Sequence, residues 1–357
     1  MHATHESPTP CRAAGRGPLR ALRRRGGLSV LGAATALLAA VMPATTAHAS
    51  AQPQESPAPR TEQAGLRLHA YVANQSDNTV SVINTVTNRV TATVPVGAAP
   101  TGVDVDDRYH RAYVTNHGGN SVSVIDTRTN LVTATIPVGA GPYGIAVNDR
   151  LGRAYVANET DATISVINTF SNTVITTVPV GTSPFGVGVD EKTGRTYVTD
   201  LDSDSVSVLN SANTVTATIP VGDTPVAVAV DPYTGRAYVT DQGSDAVSVI
   251  NTRTNTVTAT VPVGTTPYGI AVTSWRPRAY VANQGAGTVS DIDLRTNTVK
   301  KSIPVGQAPT GVAADPAFGR VFVTNLLSDN VSVINPLTKR VIATVPVGNG
   351  PSGVAIG

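Results

Sequence analysis

Eight side chains of types that bind ligands occur at two positions that recur along this sequence. Three of them directly follow a proline, and five lie at the end of a Tyr-Val-Ala/Thr-Asn/Asp segment or directly after it. They are Tyr143, Phe185, Tyr268, Asn116, His117, Glu159, Asp200 and Asp241. Aromatic rings stack on sugar rings and attract cations, so rings beside carboxylates suit a cationic group or a sugar. In a purely structural interpretation, the rings pack on a neighbouring repeat and aspartate caps a turn as asparagine does. The sequence leaves both interpretations open.

Alternate carboxylates at Asp200, Asp202 and Asp204 could converge on a hard cation such as Ca²⁺. The EF-hand loop requires glycine at its sixth position and glutamate at its twelfth, where this segment has Ser205 and Ser211. We keep the three aspartates as a metal candidate, but we expect no metal and no cofactor.

The histidines give little support for catalysis or for a redox centre. His69, His110 and His117 are the only ones after residue 48, and they fall at unrelated places in the repeat. Metal clusters, haem-attachment segments and Gly-x-Ser-x-Gly elbows need residue spacings that this sequence lacks. The near-uniform repeats also argue against an enzyme, because catalysis requires several singular polar residues in one place.

Two aspartates replace residues that other repeats keep apolar or small. Asp291 stands where the six other copies have a core valine, and we expect Lys300 or Lys301, on the paired strand, to form a cross-strand ion pair with it. Asp104 replaces glycine or alanine, and either binds a cation in a central channel or is solvated there.

The elements that position these residues come from a repeat of about 42 residues. Its aromatic-Val-Ala/Thr-Asn/Asp segment starts at Tyr71, Tyr113, Tyr155, Tyr197, Tyr238, Tyr280 and Phe322. Each unit holds four β-branched runs between turn residues, which predicts four antiparallel strands, A to D. We therefore predict an all-β, seven-bladed β-propeller over residues 65–357.

The two ends of the repeat region complement each other. Leu68 to Asn74 begins a unit at strand B, and Pro351 to Gly357 supplies an additional strand A. A solenoid would instead need atypical capping units at its ends. We expect the C-terminal strand to join blade 1 and close the ring. The D–A and B–C loops then share one face, the D–A/B–C face, with the residues after the loop proline at the channel mouth.

The segment Tyr113-Val-Thr-Asn116 and its six near-copies resemble the YVTN family of β-propeller repeats. The resemblance covers residues 66 to 357 and implies a propeller of the kind found in microbial surface-layer and exported proteins. Propellers of this kind also occur in lactonases, in a streptogramin lyase and in redox-enzyme subunits, so the resemblance does not imply a single activity.

The N-terminal segment has the features of an export signal. Six arginines precede the apolar stretch Leu28 to Met42, and Ala47-His48-Ala49 is a small-x-small cleavage site, so residues 1–49 are predicted to be a signal peptide. Residues 50–64 are rich in Pro, Gln and Glu and are predicted to be a flexible leader. The sequence leaves the general and twin-arginine export routes open. No second apolar run follows, so we expect no transmembrane anchor after cleavage.

Removal of residues 1–49 leaves 26 − 6 = 20 Lys and Arg against 24 − 1 = 23 Asp and Glu. This balance, near −3, and the lack of a basic patch exclude a nucleic-acid partner. We expect a secreted, extracellular or cell-surface monomer that is not an enzyme and binds a protein, glycan or cell-wall component through the D–A/B–C face. The alternative is a lactonase-like or lyase-like enzyme that uses mouth carboxylates and His117.

Overall fold

The β-branched runs of the repeats form strands throughout the computed structural model, which describes residues 68–273, 276–317 and 319–357. The predicted signal peptide and leader lie outside the described residues. Two short 3₁₀ turns, His117–Gly119 and Leu201–Ser203, are the only helical elements in the described ranges. Neither is long or apolar enough to cross a membrane.

Blades 1 to 3 contain the first eleven strands of the chain. Their twelfth strand, in blade 1, is the C-terminal strand of the chain. The first eleven strands are β1 (His69–Asn74), β2 (Thr79–Asn84), β3 (Arg89–Pro95), β4 (Pro100–Asp106), β5 (Arg111–Asn116), β6 (Ser121–Asp126), β7 (Leu131–Pro137), β8 (Pro142–Asn148), β9 (Arg153–Asn158), β10 (Thr163–Asn168) and β11 (Thr173–Pro179).

Blades 4 to 7 follow with four strands each, and one more strand ends the chain. These strands are β12 (Pro184–Asp190), β13 (Arg195–Asp200), β14 (Ser205–Leu209), β15 (Val215–Pro220), β16 (Pro225–Asp231), β17 (Arg236–Asp241), β18 (Ala246–Asn251), β19 (Thr256–Pro262), β20 (Pro267–Thr273), β21 (Arg278–Asn283), β22 (Thr288–Asp293), β23 (Thr298–Pro304), β24 (Pro309–Ala314), β25 (Val321–Asn325), β26 (Asn330–Asn335), β27 (Arg340–Pro346) and β28 (Pro351–Ile356).

Seven antiparallel four-stranded sheets confirm the predicted seven-bladed propeller. Six blades use consecutive strands, from β4-β5-β6-β7 in blade 2 to β24-β25-β26-β27 in blade 7, whereas blade 1 has the order β28-β1-β2-β3. Strand β28 pairs with β1 in the register Tyr71↔Ala355. The predicted closure by the C-terminal strand is therefore confirmed.

The core lies between blades, because each strand B is buried on both faces. The tyrosine of β1, Tyr71, is fully buried and packs with Val103, Ala112 and Val114 of blade 2. Near the axis the innermost strands approach closely, so strand A needs small residues. A Cβ atom added at Gly102 would lie 2.5 Å from the carbonyl oxygen of Tyr143 in the next blade.

Asp104 also links innermost strands. Its carboxylate oxygens accept hydrogen bonds from the N–H groups of Val147 in blade 3 (2.7 Å) and of Val105 (2.9 Å). Burial raises the pKa of the Asp104 carboxyl to about 7. Asp104 is only half-buried, so it remains partly accessible to solvent, and its carboxylate also joins blade 2 to blade 3.

The predicted ion pair of Asp291 with Lys300 or Lys301 is also wrong. Asp291 is 1% exposed, and its carboxylate contacts Lys339 Nζ at 2.8 Å and Arg278 Nη1 at 3.2 Å. Lys301 lies opposite Asp291 in the register. However, Lys300 and Lys301 are exposed at the outer edge, whereas Asp291 faces the space between blades. One of its two compensating cations, Arg278, comes from β21 of the same blade, and the other, Lys339, comes from a turn of blade 7 where other blades have asparagine.

Candidate ligand-binding mouth

The residue after each loop proline lines one central cavity of about 190 Å³, as the repeat predicts. These residues are Ser352, Thr101, Tyr143, Phe185, Val226, Tyr268 and Thr310, in blades 1 to 7. The two threonine side chains among them bond to the backbone of the neighbouring blades. The Thr101 hydroxyl donates to the carbonyl oxygen of Tyr143, and the Thr310 hydroxyl donates to that of Ser352. The predicted asymmetry of the mouth is therefore set by its three aromatic rings.

The three rings form one cluster. Tyr143 stacks on Phe185 with ring centroids 3.7 Å apart and planes 28° apart. Phe185 in turn meets Tyr268 edge to face, at 5.9 Å and 83°. The edge-to-face geometry of the second pair is favourable for aromatic rings, whereas the first pair is in unusually close stacking contact. Phe185 itself is buried, so the accessible part of the cluster comes from Tyr143 of blade 3 and Tyr268 of blade 6.

A hydrogen bond between hydroxyls spans the mouth from blade 3 to blade 6. Tyr143 Oη and Tyr268 Oη are 2.5 Å apart, although the two residues are 125 positions apart in sequence. Burial raises the pKa of both phenols above their ordinary value. Both hydroxyls therefore keep their protons in neutral solution, and one donates to the other.

His117 and Glu159 extend the cluster towards solvent. His117 Nε2 lies 3.4 Å from Glu159 Oε2, and the two side chains are 37% and 34% exposed. The His117 ring meets Tyr143 edge to face at 5.9 Å. Each residue opens a B–C loop whose backbone N–H donates to the neighbouring D–A loop, at Ala99 O and Gly141 O. These bonds hold the imidazole–carboxylate pair beside the rings.

The other three predicted site residues lie beneath this surface. Asn116, Asp200 and Asp241 are fully buried. Asn116 Nδ2 donates to the hydroxyls of Ser121 and Ser123, while the Ser207 hydroxyl donates to Asp200 Oδ2 at 2.6 Å. The prediction that these side chains contact a ligand is therefore wrong, because each points into its blade at the end of a strand B.

Burial has a further effect on the two aspartates among these buried residues. It raises the pKa of both Asp200 and Asp241 to about 6. Hydrogen bonds from Ser207 and Ser248 oppose this effect, since they stabilise the charged carboxylates.

The metal candidate does not form a common site. Asp200 Oδ1 accepts from Gly181 N–H, Asp202 Oδ2 from the Ser183 hydroxyl and Asp204 Oδ1 from Thr224 N–H. These partners draw the carboxylates to three places. Across the described ranges, no group of three His, Cys, Asp or Glu side chains is arranged to hold a metal ion.

Comparisons with known proteins agree with the fold. A family model described as YNCE-like beta-propeller matches residues 24–356. The comparison with curated proteins gives no significant match.

Solved structures show the same architecture at low sequence identity. Hydrazine synthase of Kuenenia stuttgartiensis superposes with a TM-score of 0.60 at 18% identity, over 72% of this chain and 89% of that chain. A functionally unknown protein from Desulfotomaculum acetoxidans gives a TM-score of 0.72 at 15% identity, over 81% and 98%. The dihydro-heme d1 dehydrogenase NirN gives 0.62 at 17% identity, over 82% and 66%. These similarities concern the fold alone.

Proposed function

The chain belongs to the YNCE-like β-propeller family, and on that premise we propose that it is an exported, non-enzymatic propeller that binds a protein or glycan at its aromatic mouth. We infer further that its repeats are of the YVTN type and that the protein acts as a monomer outside the cell or at the cell surface. The export-signal features of residues 1–49 support the proposed location.

One observation carries the binding proposal: the singular side chains of an otherwise repetitive ring meet at one place. Tyr143, Phe185, Tyr268, His117 and Glu159 form a continuous series of contacts. At each of these positions the other blades have several different residue types, so the blade structure does not require these side chains. Rigid aromatic surface beside polar groups is characteristic of ligand contact.

The binding test replaces each ring by a residue that another blade already has at the same position. The triple variant Tyr143→Thr, Phe185→Val and Tyr268→Thr copies Thr101, Val226 and Thr310. Thermal-shift and calorimetric screens of the full chain against oligosaccharides and peptides are expected to find a ligand that the wild type binds and the triple variant does not. Val226→Thr is the control that leaves the aromatic cluster intact.

Two results would contradict the binding proposal. One is a wild-type protein that binds none of these compounds. The other is a triple variant that keeps its fold by circular dichroism and binds every wild-type ligand equally well. The location is tested separately by expressing the full chain with its own N-terminus. We expect exported protein whose intact mass corresponds to a chain that starts at Ser50.

A second candidate function rests on the His117–Glu159 pair. A histidine held by a carboxylate beside a cavity has the arrangement of a general base, so a lactonase-like or lyase-like activity is the alternative. Turnover of lactones by the wild type, with loss in His117→Ala and retention in the matched opposite-face variant His110→Ala, would favour the enzyme. No turnover of these substrates would favour the binding protein.

A further inference from the structure

The loops of the D–A/B–C face carry carboxylates but no lysine or arginine. Their acidic residues are Asp77, Glu159, Asp161, Asp202, Asp204, Asp223, Asp245 and Asp329, all exposed except the half-buried Glu159. His117 is the only basic side chain in these loops. All of the loops lie within the described ranges, so the formal charge of this face comes from carboxylates, which five of the seven blades carry.

The opposite face has mixed charge. Every lysine and arginine of the described ranges lies in or next to an A–B or C–D turn, except Lys300 and Lys301 in the middle of β23. Carboxylates are interspersed there, as in the turn that contains Glu191 and Lys192. The small net charge of the chain thus conceals a separation between the two faces, and an acidic face attracts cationic partners.

The loop structure does not require this negative charge. Asp204, Asp245 and Asp329 each use Oδ1 to accept a hydrogen bond from a backbone N–H of the next blade, at 2.8 to 2.9 Å. Asn78 and Asn120 make the equivalent bonds in blades 1 and 2, at 2.8 and 3.1 Å. An amide therefore suffices for the loop contact, and the charge of these aspartates needs another explanation.

We propose that the partner at the aromatic mouth is a cationic polypeptide segment. Its lysine or arginine side chains would contact the accessible parts of the Tyr143 and Tyr268 rings, which buried Phe185 supports from beneath, and pair with the surrounding carboxylates. The carboxylates are spread over blades 1, 3, 4, 5 and 7, so one small cation can meet only a few of them. An extended chain with several positive charges complements the whole face. This inference rests on the proposed function and specifies its ligand.

Labelled deca-lysine is the probe, and its binding to the full chain is measured by fluorescence anisotropy. We expect binding that weakens from 0.05 to 0.5 M salt, since about 0.1 M salt already screens exposed charges beyond about 10 Å. Deca-glutamate is expected not to bind. A neutral N-acetylglucosamine hexamer and a cationic glucosamine hexamer distinguish peptide from glycan ligands.

Two triple variants remove equal charge from opposite faces. The first variant changes the D–A/B–C face and keeps the loop bonds, because each new asparagine copies Asn78: it combines Asp204→Asn, Asp245→Asn and Asp329→Asn. The control changes the opposite face and combines Asp126→Asn, Glu191→Gln and Asp293→Asn. The first is expected to weaken deca-lysine binding about tenfold, from three exposed ion pairs, and the control less than about twofold. Deca-lysine is expected to bind the aromatic triple variant more weakly than the wild type. If its contacts were purely electrostatic, its affinity for the two proteins would be the same.

The outcomes separate this inference from the proposed function. Absent deca-lysine binding, or equal loss in the two charge variants, overturns the cationic-peptide partner. If the neutral hexamer binds and depends on the aromatic rings, the binding function stands while the cationic partner is wrong. Tighter binding of the glucosamine hexamer than of deca-lysine assigns the face to a cationic glycan and also overturns the peptide. Deca-lysine binding that is unchanged in the aromatic triple variant contradicts a partner seated at the mouth.

Discussion

Replacing Asp200 by asparagine should stabilise the protein, and the gain should depend on pH. Asp200 is fully buried at the end of β13, where five other blades have asparagine. The Ser207 hydroxyl and Gly181 N–H donate to its carboxylate, but burial dominates and raises its pKa to about 6, from an ordinary value of 3.8. The folded protein therefore holds this proton to a higher pH than the unfolded chain does.

The sign and size of the effect follow from this difference. As pH rises from about 4 to about 6, the unfolded chain releases the proton first, so the wild type loses stability; the loss is complete above the folded-state pKa. At about 1.4 kcal/mol per pKa unit, the loss reaches about 3 kcal/mol at pH 8 and stays below about 1 kcal/mol at pH 4. An asparagine side chain at this position carries no charge, so the stabilisation by Asp200→Asn should grow by about 2 kcal/mol between these pH values.

Urea unfolding followed by circular dichroism at pH 4 to 8 measures this difference, because effects of distant carboxylates cancel between wild type and variant. The matched reverse variant is Asn158→Asp in blade 3, where Asn158 Nδ2 donates to Ser165 at 2.9 Å. It should destabilise the protein with the opposite pH dependence. A stability difference for Asp200→Asn that stays constant from pH 4 to pH 8 would refute the reasoning.

Three other perturbations test two contacts between blades and the strand that closes the ring. Lys339→Asn should destabilise by about 2 kcal/mol because it removes one of the two cations that pair with buried Asp291; adding Asp291→Val should recover most of this loss in urea unfolding, and additive effects would contradict the ion pair. Tyr268→Phe should lower stability by about 1 kcal/mol through loss of its bond with Tyr143, and Tyr143→Phe should add little in the double variant, as thermal melts can check. Deleting residues 351–357 removes β28 and should sharply lower the melting temperature; an unchanged value would contradict closure by this strand.

The fold could be predicted because each of the seven repeats independently indicates the same four strands. Seven copies of the same four runs fix the strands, and the incomplete unit at Leu68 together with the extra strand at Pro351 fixes the closure. The aromatic mouth was also predictable, since the position after the loop proline faces the axis in every blade. Neighbouring rings such as Tyr143 and Phe185 then meet because adjacent innermost strands pack side by side.

The sequence of a single loop does not predict where its side chains point or which residues of other blades they contact. Asp200 was predicted to face a ligand, but as the last residue of a strand it turns towards Ser207, a serine whose equivalent is present in all seven copies. That invariant serine was an available signal. One partner of Asp291, Lys339, is in the next blade, and this unusual lysine in a turn that otherwise ends in asparagine was the corresponding signal. The contact between Tyr143 and Tyr268 has no local signal, because it joins blades that are not adjacent.

The closing pair of strands gives the ring interchangeable starting points. His69 N–H donates to Gly357 O at 2.9 Å, and Gly357 N–H donates to His69 O at 3.1 Å, so the two described ends touch. A short covalent connection between them would need no change in the blades. New termini could then be opened in any D–A loop, because that loop has the same relation to its neighbours in each blade. We therefore expect a circular permutant opened in a D–A loop to keep the seven-bladed ring.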